Sequence, residues 1–262
     1  MHTVLSRDRT RIAFSRTGAG PPLLLIHGAT ADHTTTWKLV LPQLERRFTT
    51  YAMDRRGRGG STDAPAYALQ REAEDVAAVV DSVGRPVNVL GHSFGALCAI
   101  EAALLTPNVR RLILYEGVYL RGQDVYKPGA IDQLEAMLEA GKVEEMLLAV
   151  FRDLVEMTPE EIDALRARPE AWAVRMANAP TLPRELRADE GYVFEPERFN
   201  AMQTPTLFLV GGDSPPRELE NAKRLSEALP EASVAVLPGE QHAAMYTAPD
   251  AFVREVVRFF EA

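Results

Sequence analysis

The stretch Gly91-His92-Ser93-Phe94-Gly95 decides the reading of this chain, because of what stands on either side of it. Val87-Asn88-Val89-Leu90 before it is a short apolar run of strand character, and Ala96 to Leu105 after it reads as a helix. A serine flanked by small residues at a strand–turn–helix junction is held with its hydroxyl exposed at the carboxyl edge of a sheet. The helix that follows points its positive dipole end at any negative charge developing there. A bare G-x-S-x-G match is weak, and a simple helix N-cap is the competing role for Ser93. Strand, turn and helix in the expected places favour the nucleophile.

Outward from this junction, short apolar runs alternate with longer helix-like stretches, the pattern of a mainly parallel sheet flanked by helices. Arg11 to Arg16 reads as an early strand, and Leu23-Leu24-Leu25-Ile26 as a central strand buried on both faces. Phe48 to Met53 is the next strand, after an amphipathic stretch from Thr36 to Arg47. Leu69 to Val83 has helical spacing, and Leu112 to Tyr115 is a further strand. After Glu116 the alternation stops. From Gly117 to Met202 only helical periodicity remains, with candidates at Ile131 to Glu139, Val143 to Glu156, Pro159 to Ala167 and Glu170 to Asn178. Alternation resumes with the strand Pro205 to Val210, the helix Glu218 to Leu229, the strand Ser233 to Leu237 and a closing helix Asp250 to Phe260. The expected organisation is an α/β core from residues 1–116 and 203–262, interrupted by a helical insertion at 117–202.

Composition narrows the function. The 262 residues are 46% hydrophobic and 25% charged, which suits a globular chain and excludes collagen, coiled coil and disorder. With 37 acids against 29 bases the net charge is −8, so there is no electrostatic footprint for nucleic acid. Cys98 is the single cysteine, which excludes an intrachain disulfide and a cysteine-based zinc site. The N-terminus shows no apolar signal region, and no apolar run approaches the ~18 residues that span a bilayer. A soluble cytoplasmic protein with no membrane partner is expected. Arg outnumbers Lys 25 to 4, consistent with a GC-rich bacterial genome.

A serine nucleophile needs a base. Of the five histidines, His242 stands in a loop after the last apolar strand, where ligands meet such sheets. The base in turn needs an acid to fix its tautomer and stabilise the imidazolium. Asp213 follows the strand ending Val210-Gly211-Gly212, and Glu116 follows the strand ending Tyr115. Asp213 is favoured, because Ser, Asp, His is the expected order along the chain; Glu116 is the alternative acid. For the oxyanion, the backbone N–H groups of Ala29, in His27-Gly28-Ala29, and of Phe94 are the natural donors. Cys98 reads as a small buried hydrophobe. Tyr119, Phe151, Trp172 and Met176 are candidates either for a pocket lining or for the insertion's own core. Neither a metal-ligand constellation nor a phosphate loop is present.

Taken together, His27-Gly28-Ala29, Asp54-Arg55-Arg56-Gly57-Arg58-Gly59-Gly60-Ser61, Gly91-His92-Ser93-Phe94-Gly95, Gly211-Gly212-Asp213 and His242 resemble the α/β-hydrolase-fold enzymes over essentially the whole chain. The resemblance implies that the Asp54–Ser61 loop is structural, that its arginines brace it, and that residues 117–202 cap the site. It implies a cofactor-free serine hydrolase of a small, uncharged or weakly apolar carboxylic ester or lactone; a monomer or homodimer is expected. The same triad also serves lactonases, C–C bond hydrolases, hydroxynitrile lyases and cofactor-free haloperoxidases, and slow-turnover ligand sensors share the fold. Epoxide hydrolases and haloalkane dehalogenases, which carry Asp at the elbow, are excluded by Ser93.

Overall fold

The computed structural model describes residues 1–122 and 125–262. Eight strands form one sheet in the order β1-β2-β4-β3-β5-β6-β7-β8. They are β1 (His2–Leu5), β2 (Arg11–Gly18), β3 (Pro22–Ile26), β4 (Thr49–Met53), β5 (Val87–His92), β6 (Val109–Tyr115), β7 (Thr206–Gly211) and β8 (Ala232–Leu237). β1 and β2 run antiparallel to their neighbours, and every pairing from β4 to β8 is parallel.

Alternation along the parallel strands explains why both faces are covered. Leu24 and Ile26 of β3, Leu112 and Leu114 of β6, and Phe208 and Val210 of β7 belong to one buried cluster. That cluster also holds residues of the helices α2 (Leu69–Ser82), α3 (Phe94–Ala103) and α9 (Pro216–Ala228). The intervening Leu23, Leu25, Ile113, Tyr115, Leu207 and Leu209 face a second cluster with Trp37, Leu44 of α1 (Leu41–Leu44), Met245 of α10 (Ala244–Thr247) and Phe252 and Val256 of α11 (Pro249–Glu261). β3, β6 and β7 are therefore apolar on both faces, which is why each reads as a continuous hydrophobic run rather than an alternating one.

Between β6 and β7 the described residues form the helices α4 (Ala130–Glu139), α5 (Val143–Ala149), α6 (Pro159–Arg166), α7 (Pro169–Asn178) and α8 (Leu182–Glu190), with an isolated antiparallel bridge between Arg121 and Val193. Their apolar faces form a third cluster that includes Ile131, Leu147, Phe151, Leu165 and Leu186. Tyr192, Phe194, Phe199 and Met202 pack instead into the first cluster, against the sheet.

Three details depart from the sequence reading. β1 exists, pairing His2 with Phe14 and Leu5 with Arg11, although its residues are mostly exposed and give no buried pattern. The stretch Val143 to Glu156 is two pieces, with α5 followed by a π-helical turn at Val150–Leu154. The helix α8 is not among the four helical candidates; its Pro183 lies in the first turn, where a missing N–H costs nothing.

Candidate active site

Ser93 sits between β5 and α3 with φ 55° and ψ −130°. For a residue with a side chain this is a strained backbone, costing about 1–3 kcal/mol. The fold holds it there: Ser93 N–H donates to the Tyr115 carbonyl at 2.9 Å, and Ala96 N–H donates to the Ser93 carbonyl at 2.7 Å. The flanking glycines are demanded by contact. A Cβ on Gly91 would lie 2.5 Å from the Gly95 carbonyl oxygen, and one on Gly95 would lie 2.5 Å from those of His27 and Ile26.

His242 shares the cavity beside Ser93. Its loop is fixed from behind: His92 Nε2–H donates to the His242 carbonyl at 2.9 Å, and the Tyr115 hydroxyl donates to the Gln241 carbonyl. Burial and the neighbouring His242 charge hold the His92 pKa well below its ordinary value, so it is a neutral brace.

The carboxylate that meets the imidazole is Glu116, the alternative of the sequence reading, and not the favoured Asp213. His242 Nδ1 lies 2.6 Å from Glu116 Oε2, whereas Asp213 is exposed and away from the imidazole contact. The physical reason lies in strand order. β6 is the sheet neighbour of β5, so the residue after Tyr115 arrives beside the elbow. The loop after β7 contributes hydrogen bonds to that acid instead, with Gly211 N–H at 2.9 Å and the Ser214 hydroxyl at 2.6 Å from Glu116 Oε1. Burial acts to raise the Glu116 pKa, but the hydrogen bond and charge of His242, helped by Ser214 and Gly211, outweigh it and hold the carboxyl below its ordinary value. Burial likewise acts to lower the His242 pKa, and the Glu116 hydrogen bond and charge overcome it, raising the imidazolium above 6.5.

The backbone donors are set by buried polar groups. His27 Nε2 accepts from Arg55 N–H at 3.1 Å, so the ring proton is on Nδ1 and donates to the Gly28 carbonyl at 2.8 Å. Arg55 Nη1 also reaches that carbonyl at 3.4 Å. There are no cis peptides, and in a trans peptide the N–H opposes the C=O. With the Gly28 oxygen drawn towards Arg55, the Ala29 N–H is turned the other way, and Ala29 lines the cavity with Ser93 and Phe94. Phe94 is the first residue of α3, where backbone N–H groups have no intrahelical acceptor.

Asp54 and the three arginines of the Asp54–Ser61 loop are buried, while Gly59 and Gly60 are exposed. Arg55 makes a paired contact with Glu72 (2.7 and 3.1 Å) and reaches Glu185 of α8 at 3.4 Å. Arg56 makes a two-point contact with Asp75 (2.7 and 2.8 Å), and Arg58 reaches Thr181 at 2.6 Å and also meets Glu185. These pairs tie the loop carrying His27's partner to both α2 and the helical segment.

The cavity has two lobes, of ≈ 80 and ≈ 60 Å³, room for a few small groups. Ala29, Ser93, Val150, Val155, Leu182 and His242 line both. The first lobe adds Tyr119, Tyr126, Asp189 and Glu218, and burial pushes the two carboxyls up to about 6 and about 7 respectively. The second adds Gly28, Phe151, Arg175 and Tyr246. Tyr119 and Phe151 thus line the cavity, while Trp172 and Met176 pack against the third cluster. Sequence reasoning missed Arg175: nothing in the helical spacing of α7 marks it as cavity-facing. Cys98 is buried, as expected. Among the described residues no group of three or more His, Cys, Asp and Glu is placed to hold a metal ion, and no helix is long and apolar enough to cross a membrane.

A strained serine at a strand–helix elbow of a mainly parallel sheet, under a helical segment, defines the hydrolases of this architecture. Residues 23–255 match the alpha/beta hydrolase family, and the chain belongs to it. It is similar to a 2-(acetamidomethylene)succinate hydrolase of Mesorhizobium japonicum, at 30% identity over 94% of this chain and 90% of the relative. A pimeloyl-[acyl-carrier protein] methyl ester esterase of Nitrosomonas europaea is 26% identical, over 92% and 96% of the two chains. Among solved structures, an alpha/beta hydrolase of Sphaerobacter thermophilus superposes with a TM-score of 0.85 at 33% identity, over 99% of this chain and 100% of that one. The protein is a hydrolase.

Proposed function

We propose that the protein is a serine esterase that cleaves a small carboxylic ester through an acyl-enzyme on Ser93. The observation that carries this is the Glu116–His242 hydrogen bond of 2.6 Å beside a serine held at φ 55° in the same cavity. With Glu116 on Nδ1, the His242 proton is held there and Nε2 is left to take the Ser93 proton. Ser93 Oγ then bonds to the ester carbonyl carbon, and the N–H groups of Ala29 and Phe94 stabilise the oxyanion. His242 returns the proton to the departing alkoxide. Water, deprotonated by His242, then displaces Ser93 and releases the acid. The helical segment at 117–202 acts as the cap, since Val150, Val155 and Leu182 close the cavity over the serine.

A second reading is amide hydrolysis by the same steps, favoured by the acetamido group in the name of the Mesorhizobium relative. Steady-state turnover of p-nitrophenyl acetate and butyrate, and of the matching anilides, tests both. Sustained ester turnover that collapses in Ser93→Ala supports the esterase. Faster anilide turnover favours the amidase, and absence of both rejects the acyl-enzyme scheme.

A further inference from the structure

The second lobe of the cavity holds a buried cation with no counter-charge among the described residues. Arg175 of α7 is 7% exposed, and its guanidinium donates to Thr30 Oγ1 at 2.9 Å and to the Tyr246 hydroxyl at 3.4 Å. Both partners are neutral, and Nε, also buried, has no partner among the described residues. The other buried arginines of this chain are treated differently: Arg55, Arg56 and Arg58 each meet one or more carboxylates. A guanidinium keeps its charge at any working pH, and burying it unpaired is strongly unfavourable.

We propose that Arg175 is a carboxylate-recognition residue, and that the substrate carries a carboxylate a few atoms from the scissile carbonyl. The inference rests on the reading of Ser93 as the acylated residue, and it names the substrate class for that site. Arg175 and Ser93 line the same lobe, so one small molecule can meet both. The planar guanidinium presents donors that match a carboxylate, and Thr30 and Tyr246 each take up only one hydrogen of its two Nη groups. Ala31, Val150, Phe151, Met157 and Leu165 give the lobe apolar walls that leave little room for water, and among its described lining residues Arg175 is the one arginine or lysine. The first lobe is less suited to an anion: it is walled by Glu116, Glu185, Asp189 and Glu218, and its arginine, Arg217, already meets Glu156 and Glu218. Thr30 and Tyr246 keep the guanidinium fixed, which lowers the ordering cost on binding.

Two ester pairs, each a carboxylate beside its carboxamide, test this: monomethyl succinate with methyl succinamate, and O-acetylglycolate with O-acetylglycolamide. They place the charge on the acyl side and on the alcohol side. In the wild type, kcat/KM for at least one carboxylate is expected to exceed that for its carboxamide by about tenfold or more. In Arg175→Gln that ratio falls to about one or below through KM, and Arg175→Lys recovers part of it. A preference for the carboxamides, a ratio that survives in Arg175→Gln, or an equal kcat loss on all four esters would overturn the proposal, the last marking Arg175 as a clamp between α7 and the Thr30 loop. Calorimetric titration of succinate and succinamide into Ser93→Ala reads binding without chemistry. Succinate binding that Arg175→Gln abolishes supports the proposal even if ester turnover is absent, which would sink only the acyl-enzyme reading. Equal binding of succinamide would count against it.

Discussion

Replacing Glu116 by Gln removes one charge and changes almost no volume, so its effect isolates the electrostatic and tautomeric role of the acid. The carboxylate accepts three hydrogen bonds, from His242 Nδ1–H at 2.6 Å, Gly211 N–H at 2.9 Å and the Ser214 hydroxyl at 2.6 Å. Gly211 N–H can only donate, so the glutamine carbonyl oxygen stays on that side and the amide NH2 faces His242. Nδ1 must then accept, the ring proton moves to Nε2, and the nitrogen facing Ser93 can no longer take its proton. Loss of the correct tautomer lowers kcat by about 10⁴-fold, or about 5 kcal/mol of transition-state stabilisation. The assay is p-nitrophenyl acetate turnover across the pH range, beside Asp213→Asn as the control. Because His242 is raised above 6.5 by Glu116, the acid limb of the wild-type profile lies above that pH, and it moves down in Glu116→Gln. Asp213→Asn stays within about twofold, as expected of an exposed residue. A loss below about tenfold in Glu116→Gln, or a collapse in Asp213→Asn, refutes the assignment.

Three further outcomes follow from the geometry. Gly28→Ala places a Cβ 2.9 Å from Ser93 Cβ, so the nucleophile is displaced and kcat falls by about 10²-fold while circular dichroism is unchanged; wild-type activity would contradict the packing. Arg55→Met strands the fully buried Glu72 and is expected to destabilise by about 3–5 kcal/mol in urea unfolding, against a surface-like loss below about 1 kcal/mol if the network is idle. The stability difference between wild type and Glu116→Gln is greatest from about pH 4.5 to 6.5. Below that window Glu116, whose folded pKa is lowered, takes up its proton, and above it His242, whose folded pKa is raised, loses the proton that strengthens the pair. A pH-independent difference in Tm would show that the pair contributes nothing.

How much of this was legible in the chain depends on what kind of signal carried it. Ser93 and His242 were readable as candidates because each follows an apolar run, and a strand's carboxyl end is where such sheets place chemistry. The choice between Asp213 and Glu116 was not. Both lie between Ser93 and His242, so chain order satisfies either, and what decides is which strand neighbours β5. That adjacency is a property of the sheet, invisible in periodicity. Gly117 offered a faint signal: it adopts φ +78° and a Cβ there would lie 2.6 Å from Ser93 Cα, as close contact with the elbow requires. The three arginines of the Asp54–Ser61 loop look like a solvated turn by composition, yet their partners Asp75, Glu72 and Glu185 come from helices at 17 to 130 residues' separation. Arg175 was unreadable for the same reason, since a helix pattern tells which residues share a face but not what that face meets.

The central claim is that Ser93, activated by His242 and Glu116, forms the covalent intermediate. Intact-protein mass spectrometry after a fluorophosphonate probe, followed by peptide mapping, tests it most directly. The expected result is a single adduct on Ser93 in the wild type, absent in Ser93→Ala and formed far more slowly in His242→Ala and Glu116→Gln. An unmodified wild type, or an adduct on any other residue, would contradict it.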